Sequence, residues 1–198
     1  MFRKLPLIGA LVLALNAVPE GASAAGNPQV LVKTSMGEFV IELYPEKAPA
    51  TVANFLQYVD DGFYAGTIFH RVIGSFMIQG GGFGADLYQG AMRPKQTRDA
   101  IPLESKNGLK NDRGWVAMAR TSDPNSATAQ FFVNVVDNDS LNHPKPDGHG
   151  YAVFGRIVQG MDVIDAIRAV PTTSVGPYRD VPASPVLIDS MQRLDAKR

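Results

Sequence analysis

The stretch Phe69-His70-Arg71-Val72-Ile73-Gly74-Ser75-Phe76-Met77-Ile78-Gln79-Gly80-Gly81 (FHRVIGSFMIQGG) sets two short apolar runs on either side of Gly74 and Ser75. Runs this brief, bounded by glycine and serine, have the length of strands and not of helices. We read strands over Thr67–Ile73 and Phe76–Gln79. Side chains alternate across a strand, so Phe69, Arg71 and Ile73 are expected on one face, with Ile68, His70 and Val72 on the other. A guanidinium among aromatic groups is costly to desolvate unless something uses it. On pattern alone Arg71 reads first as a structural arginine, its stem packed and its head in water or on a carboxylate. The segments Phe76–Gly81 and Gln130-Phe131-Phe132-Val133, each with a glutamine beside large apolar groups, likewise read first as core when taken singly.

Outward from this segment the chain continues as short strands. Val30-Leu31-Val32 is followed by a turn at Ser35-Met36-Gly37, then by Phe39, Ile41 and Leu43 alternating with Val40 and Glu42, the period of a half-buried strand. Further strands are expected at Trp115–Ala119, Gln130–Val135, Ala152–Val158 and from about Val186. Pro49 opens a helix, since a first-turn proline lacks only an N–H that has no intrahelical partner. Val52, Phe55, Leu56 and Val59 form its apolar stripe, and Gly62 stands where a C-terminal glycine belongs. A second helix near Met161–Arg168 carries Met161, Ile164 and Ile167 on one side. Many short strands and two helices suggest a β-barrel or sandwich with helical plugs, and periodicity does not decide between them.

The 198 residues are 45% hydrophobic and suit a single domain, with no internal repeat or low-complexity tract. Nineteen Lys and Arg balance nineteen Asp and Glu, which leaves no basic face for nucleic acid. Residues 1–24 have the layout of an export signal: Arg3 and Lys4, then the apolar run Leu7–Val18, then Ala22-Ser23-Ala24 for cleavage. That run is shorter than the about 20 residues that span a bilayer. A signal peptide over 1–24, a mature domain over 25–198 and a periplasmic location are expected, with no membrane attachment after cleavage. The chain has no cysteine, hence no disulfide and no lipid-anchored Cys.

Three motifs carry less than they promise. Gly80, Gly82 and Ala85 make G-x-G-x-x-A, but Gly90 and Pro94 interrupt the helix a dinucleotide site requires, so a flexible loop is expected there. His70, His143 and His149 do not fall at metal-ligand spacing on one helix, although His143 and His149 share a loop with Asp147. There is no G-x-S-x-G elbow or cysteine nucleophile for acyl transfer.

Taken together and in order, FHRVIGSFMIQGG (Phe69–Gly81), MARTSDPNSATAQFFVNV (Met118–Val135) and GYAVFGRIVQGMDVID (Gly150–Asp165) closely resemble the cyclophilin family of peptidyl-prolyl cis-trans isomerases, over about Val30 to Leu194. The resemblance implies a mainly β fold, a closed eight-stranded antiparallel barrel capped by two α-helices, with the active groove on its outside. It implies Arg71 as the catalytic cation and Gln79 as the residue that holds it and touches substrate. Phe76, Met77, Phe132 and Leu141 would wall a proline pocket, and Gln130 would line the adjoining groove. Ala119, Arg120 and Tyr151 complete the substrate-binding set. No cofactor or metal is implied. The expected function is acceleration of X-Pro rotation during folding of exported proteins, acting as a monomer on unfolded or partly folded chains. The alternative is a chaperone or binding module for proline-containing segments with little turnover. The chain departs from the commoner family pattern at Arg120 (often Asn), Ser140 (commonly Trp), Tyr151 (commonly His) and the insertion Asn142–Gly148.

Overall fold

The computed structural model describes residues 26–90 and 93–194; the expected export signal over 1–24 lies outside the described residues. Strands β1 (Gln29–Thr34), β2 (Gly37–Leu43), β3 (Thr67–Ile73), β4 (Met77–Gly84), β5 (Trp115–Met118), β6 (Phe131–Asn134), β7 (Val153–Gln159) and β10 (Leu187–Leu194) close into one barrel. Its order is β1-β10-β3-β4-β6-β5-β7-β2, and every neighbouring pair is antiparallel. Closure removes the open edges that would otherwise template aggregation. The interior is filled by side chains, among them Val30 and Val32 of β1, Phe39 and Ile41 of β2, Phe131 of β6 and Phe154 of β7.

Two helices close the barrel ends. Helix α1 (Pro49–Asp60) begins at the proline read from sequence, and its free N–H groups are capped from a distance. The Glu104 carboxylate accepts hydrogen bonds from the Ala50 N–H (3.1 Å), the Thr51 N–H (2.8 Å) and the Thr51 hydroxyl (2.7 Å), placing negative charge at the positive end of the helix. At the other end the Gly62 N–H donates to the Val59 carbonyl and the Phe63 N–H to the Tyr58 carbonyl. That is the paired closure of a Schellman end, with the Phe63 ring centre 4.7 Å from that of Tyr58 in a tilted contact. Between these ends Phe55 enters the barrel mouth, with its ring centre 5.1 Å from Phe154, 5.4 Å from Tyr64 and 5.9 Å from Phe131. Helix α2 (Met161–Arg168) buries Ile164 and Ile167 against the barrel, with Met161 packed beside them.

Two expectations need correction, and one element was not foreseen. Phe69 does not share a face with Arg71: it is fully buried in the barrel with Val72, while Arg71 points out. Phe69 pairs with Gly80 but Arg71 with Gln79, so His70 is an extra residue, a β-bulge that breaks the alternation. Gly80 and Gly82 are not in a flexible loop but in β4, and Ala85 opens a short 3₁₀ turn (Ala85–Gln89). A side chain at Gly80 would stand 3.1 Å from the Phe69 ring, and one at Gly82 would stand 2.5 Å from the Gln130 side chain. These glycines permit close approach of the neighbouring side chains. Finally, a hairpin of β8 (Thr172–Val175) and β9 (Tyr178–Pro182) covers the outside of β3 and β4, with Val181 in a small cluster with Ile68, Phe83 and Leu87. Its polar strands have no apolar period, and only the turn pair Gly176-Pro177 marks it.

Because Phe55 is fully buried among three aromatic rings, Phe55→Ala should lower stability by about 3–5 kcal/mol. Denaturant unfolding followed by tyrosine and tryptophan fluorescence measures this, and a loss below about 1 kcal/mol would mean the helix does not plug the barrel.

Candidate active site

Strands β4, β5 and β6 are apolar on both faces. Ile78, Met118 and Phe131 point into the barrel, whereas Met77, Ala117 and Phe132 point out and join Leu141 and Val153 in a second cluster on the outer wall. Ile73, Phe76, Ala119 and Tyr151 pack around its edge. The consecutive aromatics Phe131 and Phe132 thus serve opposite sides of one sheet, as strand alternation requires.

This outer cluster floors a cavity of about 200 Å³ lined by Arg71, Phe76, Met77, Gln79, Ala119, Arg120, Phe132, Leu141 and Tyr151. Nine of the ten residues carried over from sequence therefore meet in one hollow. The tenth, Gln130, lies beside it, accepting a 2.9 Å hydrogen bond on its side-chain oxygen from the Gln79 amide nitrogen. Arg71 is exposed at the cavity, outside the barrel, and takes part in none of the salt bridges among the described residues. Gln79 faces Arg71 across the β3–β4 pair, yet its amide bonds to Gln130. The hold of Gln79 on Arg71 that the resemblance implied is not made as a direct hydrogen bond.

The walls that do not belong to strands are fixed by buried amides. Asn138 donates to the Phe76 carbonyl (2.8 Å) and to the Asn134 side-chain oxygen (2.8 Å). Asn111 donates to the Leu141 carbonyl (3.3 Å) and receives a bond from Asn134 (3.2 Å). Sequence reading missed these asparagines, because an Asn in a loop looks like turn chemistry. It also missed what Arg120 does. Its side chain, 1% exposed, lies 4.5 Å from the Tyr151 ring centre and pairs with Asp147 at 2.6 Å. The Arg120 hydrogen bond, helped by the His149 and Gly150 N–H groups, holds the Asp147 carboxyl down to about 2. Among the described residues no three His, Asp or Glu side chains gather as a metal site, and none of the helices is long and apolar enough to cross a membrane.

His70, the bulge residue behind Arg71, is 5% exposed, with its ring 4.8 Å from Phe83 and its Nδ1 without a hydrogen-bond partner. Burial lowers its pKa to about 4, and the Arg71 charge works in the same direction. It is therefore neutral at pH 7 and adds no second positive charge behind Arg71.

A closed eight-stranded antiparallel barrel with two capping helices is the fold of solved cyclophilin type isomerases. A cyclophilin type peptidyl-prolyl cis-trans isomerase of Cryptosporidium parvum, solved in the presence of the dipeptide Ala-Pro, has the same fold. Its TM-score is 0.68 at 27% identity, covering 82% of this chain and 96% of that one. The family described as cyclophilin type peptidyl-prolyl cis-trans isomerase/CLD matches residues 29–193, and the chain belongs to that family. A peptidyl-prolyl cis-trans isomerase of Streptomyces antibioticus is 56% identical over 167 residues, 83% of this chain and 98% of its own length. Peptidyl-prolyl cis-trans isomerase A of Dickeya dadantii is 50% identical over 179 residues, 90% of this chain and 91% of its own.

The His70 pKa falls from 6.5 to about 4 on folding, so the unfolded chain takes up the proton first. Stability contributed by the neutral ring is whole above pH 6.5, declines as pH falls, and stops declining below about 4. The loss should total about 3 kcal/mol. Chemical unfolding from pH 7.5 to 3.5 of wild type against His70→Gln measures it, and parallel curves would mean that the ring does not titrate this way.

Proposed function

We propose that this protein accelerates cis–trans rotation about X-Pro bonds in unfolded or partly folded exported proteins, with Arg71 as the acting group. The observation that carries this reading is the Arg71 guanidinium at the apolar hollow, in no salt bridge among the described residues.

Amide resonance opposes rotation with a barrier of about 18–20 kcal/mol. Rotation requires the nitrogen lone pair to leave conjugation with the carbonyl. A proline ring seated against Phe76, Met77, Phe132 and Leu141 brings the prolyl nitrogen to Arg71. A guanidinium N–H directed at that nitrogen binds the pyramidal, twisted form better than the planar one, which is the condition for acceleration. The apolar walls displace water and leave this charged hydrogen bond less screened. Lowering the barrier by about 7 kcal/mol would speed exchange about 10⁵-fold. No bond breaks, so neither nucleophile nor cofactor is called for. Gln79 and Gln130, tied to each other, form the groove wall on the Arg71 side. Ala119 and Arg120 offer backbone groups to the peptide, and Tyr151 offers a ring face and hydroxyl.

The binding-only alternative would need the pocket but not the cation, and an arginine kept free at such a surface favours turnover. Export to the periplasm, with a mature domain over 25–198, rests on the charged, apolar and small-residue order of residues 1–24. The extent of the family match, 29–193, supports it by leaving that segment outside the isomerase domain.

Arg71→Ala should lower the rate of proline-limited peptide isomerisation at least about tenfold with the circular dichroism spectrum unchanged. Equal rates would shift the assignment to the binding module. N-terminal sequencing of the protein recovered from periplasm should start at Ala25, and an intact Met1 there would contradict cleavage.

A further inference from the structure

The insertion Asn142–Gly148 belongs to a loop whose two ends are walls of the proline pocket. Its neck is closed by the Tyr151 N–H donating to the Leu141 carbonyl at 3.0 Å. Gly150 sits in this neck at φ +70°, where an added side chain would stand 2.6 Å from the His143 nitrogen. Leu141 and Tyr151 both line the cavity, so the way the neck is held sets the distance between them.

Arg120 holds it from beneath. Its Nε and one terminal nitrogen both donate to the Gly150 carbonyl, at 3.0 and 2.9 Å. The same terminal nitrogen reaches the Asp147 carboxylate at 2.6 Å, and the other donates to the Thr121 carbonyl at 2.9 Å. The guanidinium also lies 4.5 Å from the Tyr151 ring centre, and Tyr151 in turn meets Phe132 edge-on at 5.7 Å. Asp147 completes the fastening by accepting the N–H groups of His149 (3.1 Å) and Gly150 (3.3 Å). A single planar fork thus joins loop, neck and ring, which a shorter or uncharged side chain at this position would not do.

We infer that Arg120 is a positioning residue whose side chain clamps the neck of the 142–150 loop and so sets the width of the proline pocket between Leu141 and Tyr151. Its guanidinium acts through Tyr151 and Gly150 and leaves the reacting amide to Arg71. The inference rests on the isomerase reading of this groove and assigns Arg120 a role beyond its backbone.

The test is isomerisation of an Ala-Pro-containing peptide followed by NMR exchange, which yields KM and kcat separately, on wild type, Arg120→Ala and Asp147→Asn. A loosened pocket weakens binding of ground and transition states alike, so KM should rise about tenfold in Arg120→Ala with kcat within about twofold. Asp147→Asn should shift KM the same way by about threefold. A partly unfolded variant would instead lose apparent kcat at constant KM. An unchanged KM, or a loss confined to kcat, in Arg120→Ala overturns the inference. If that variant does not fold, Asp147→Asn, on the exposed loop, decides alone by whether its KM rises. A wild-type enzyme without turnover would defeat the isomerase reading itself, whereas active wild type with unaffected variants defeats only the clamp.

Discussion

Everything at this site depends on strands that are apolar on both faces in a barrel that is already full. The interior takes Ile78, Met118 and Phe131, and the β8–β9 sheet packs over Ile68, Phe83 and Leu87 and not over Met77, Ala117 and Phe132 on the outside. In an ordinary half-buried strand those outward positions would be polar. Here they form an apolar floor, and loops must build walls around it if it is not to be merely an exposed patch. The result is a hollow of about 200 Å³, suited to a small ring and not to a large ligand.

The cation is delivered to that floor by a local irregularity. Without the bulge at His70, Phe69 and Arg71 would point the same way, and one of them would be misplaced. The extra residue lets Phe69 enter the core while Arg71 stays out, and Gly80 admits the Phe69 ring where a side chain would collide. The cost is a buried imidazole with one unpartnered nitrogen. Burial keeps that ring uncharged, so the strain does not add a positive charge next to the guanidinium. Bulges beside active sites commonly re-aim a side chain in this way.

Legibility in the sequence follows the range of the interaction. The eight barrel strands and both helices announced themselves through apolar runs, period and punctuation, because each is a local pattern bounded by turn or cap residues. Pro49, Gly62 and the stripe through Phe55 are examples. The site residues were legible only as a set carried by resemblance: Phe132 alone reads as core, and so does Met77. What could not be seen depends on partners distant in the chain. Glu104 caps a helix more than fifty residues before it, Asn138 holds the carbonyl of Phe76, and nothing near His70 in sequence signals a bulge. The β8–β9 hairpin was missed because its strands are polar and its buried residues, Val181 and Pro182, are adjacent and form no period.

The two halves of the pocket are consequently held by different physics. Met77, Gln79 and Phe132 stand on barrel strands, and moving them means breaking ladder hydrogen bonds and core packing together. Phe76, Leu141 and Tyr151 stand outside the strands: Asn138 and Asn111 hold the carbonyls of Phe76 and Leu141, and Arg120 holds the Gly150 carbonyl and lies over the Tyr151 ring. Each of these holders is a single residue, so the wall can change by point substitution without disturbing the barrel. Arg120 and Tyr151, which depart from the commoner family pattern, are in contact with each other and with the inserted loop through Asp147. Two departures and an insertion that meet in space behave as one alteration of one wall, and the strand-borne floor with its arginine needs no matching change. Chemistry on the floor and selectivity on the rim can thus vary separately, because different residues hold them.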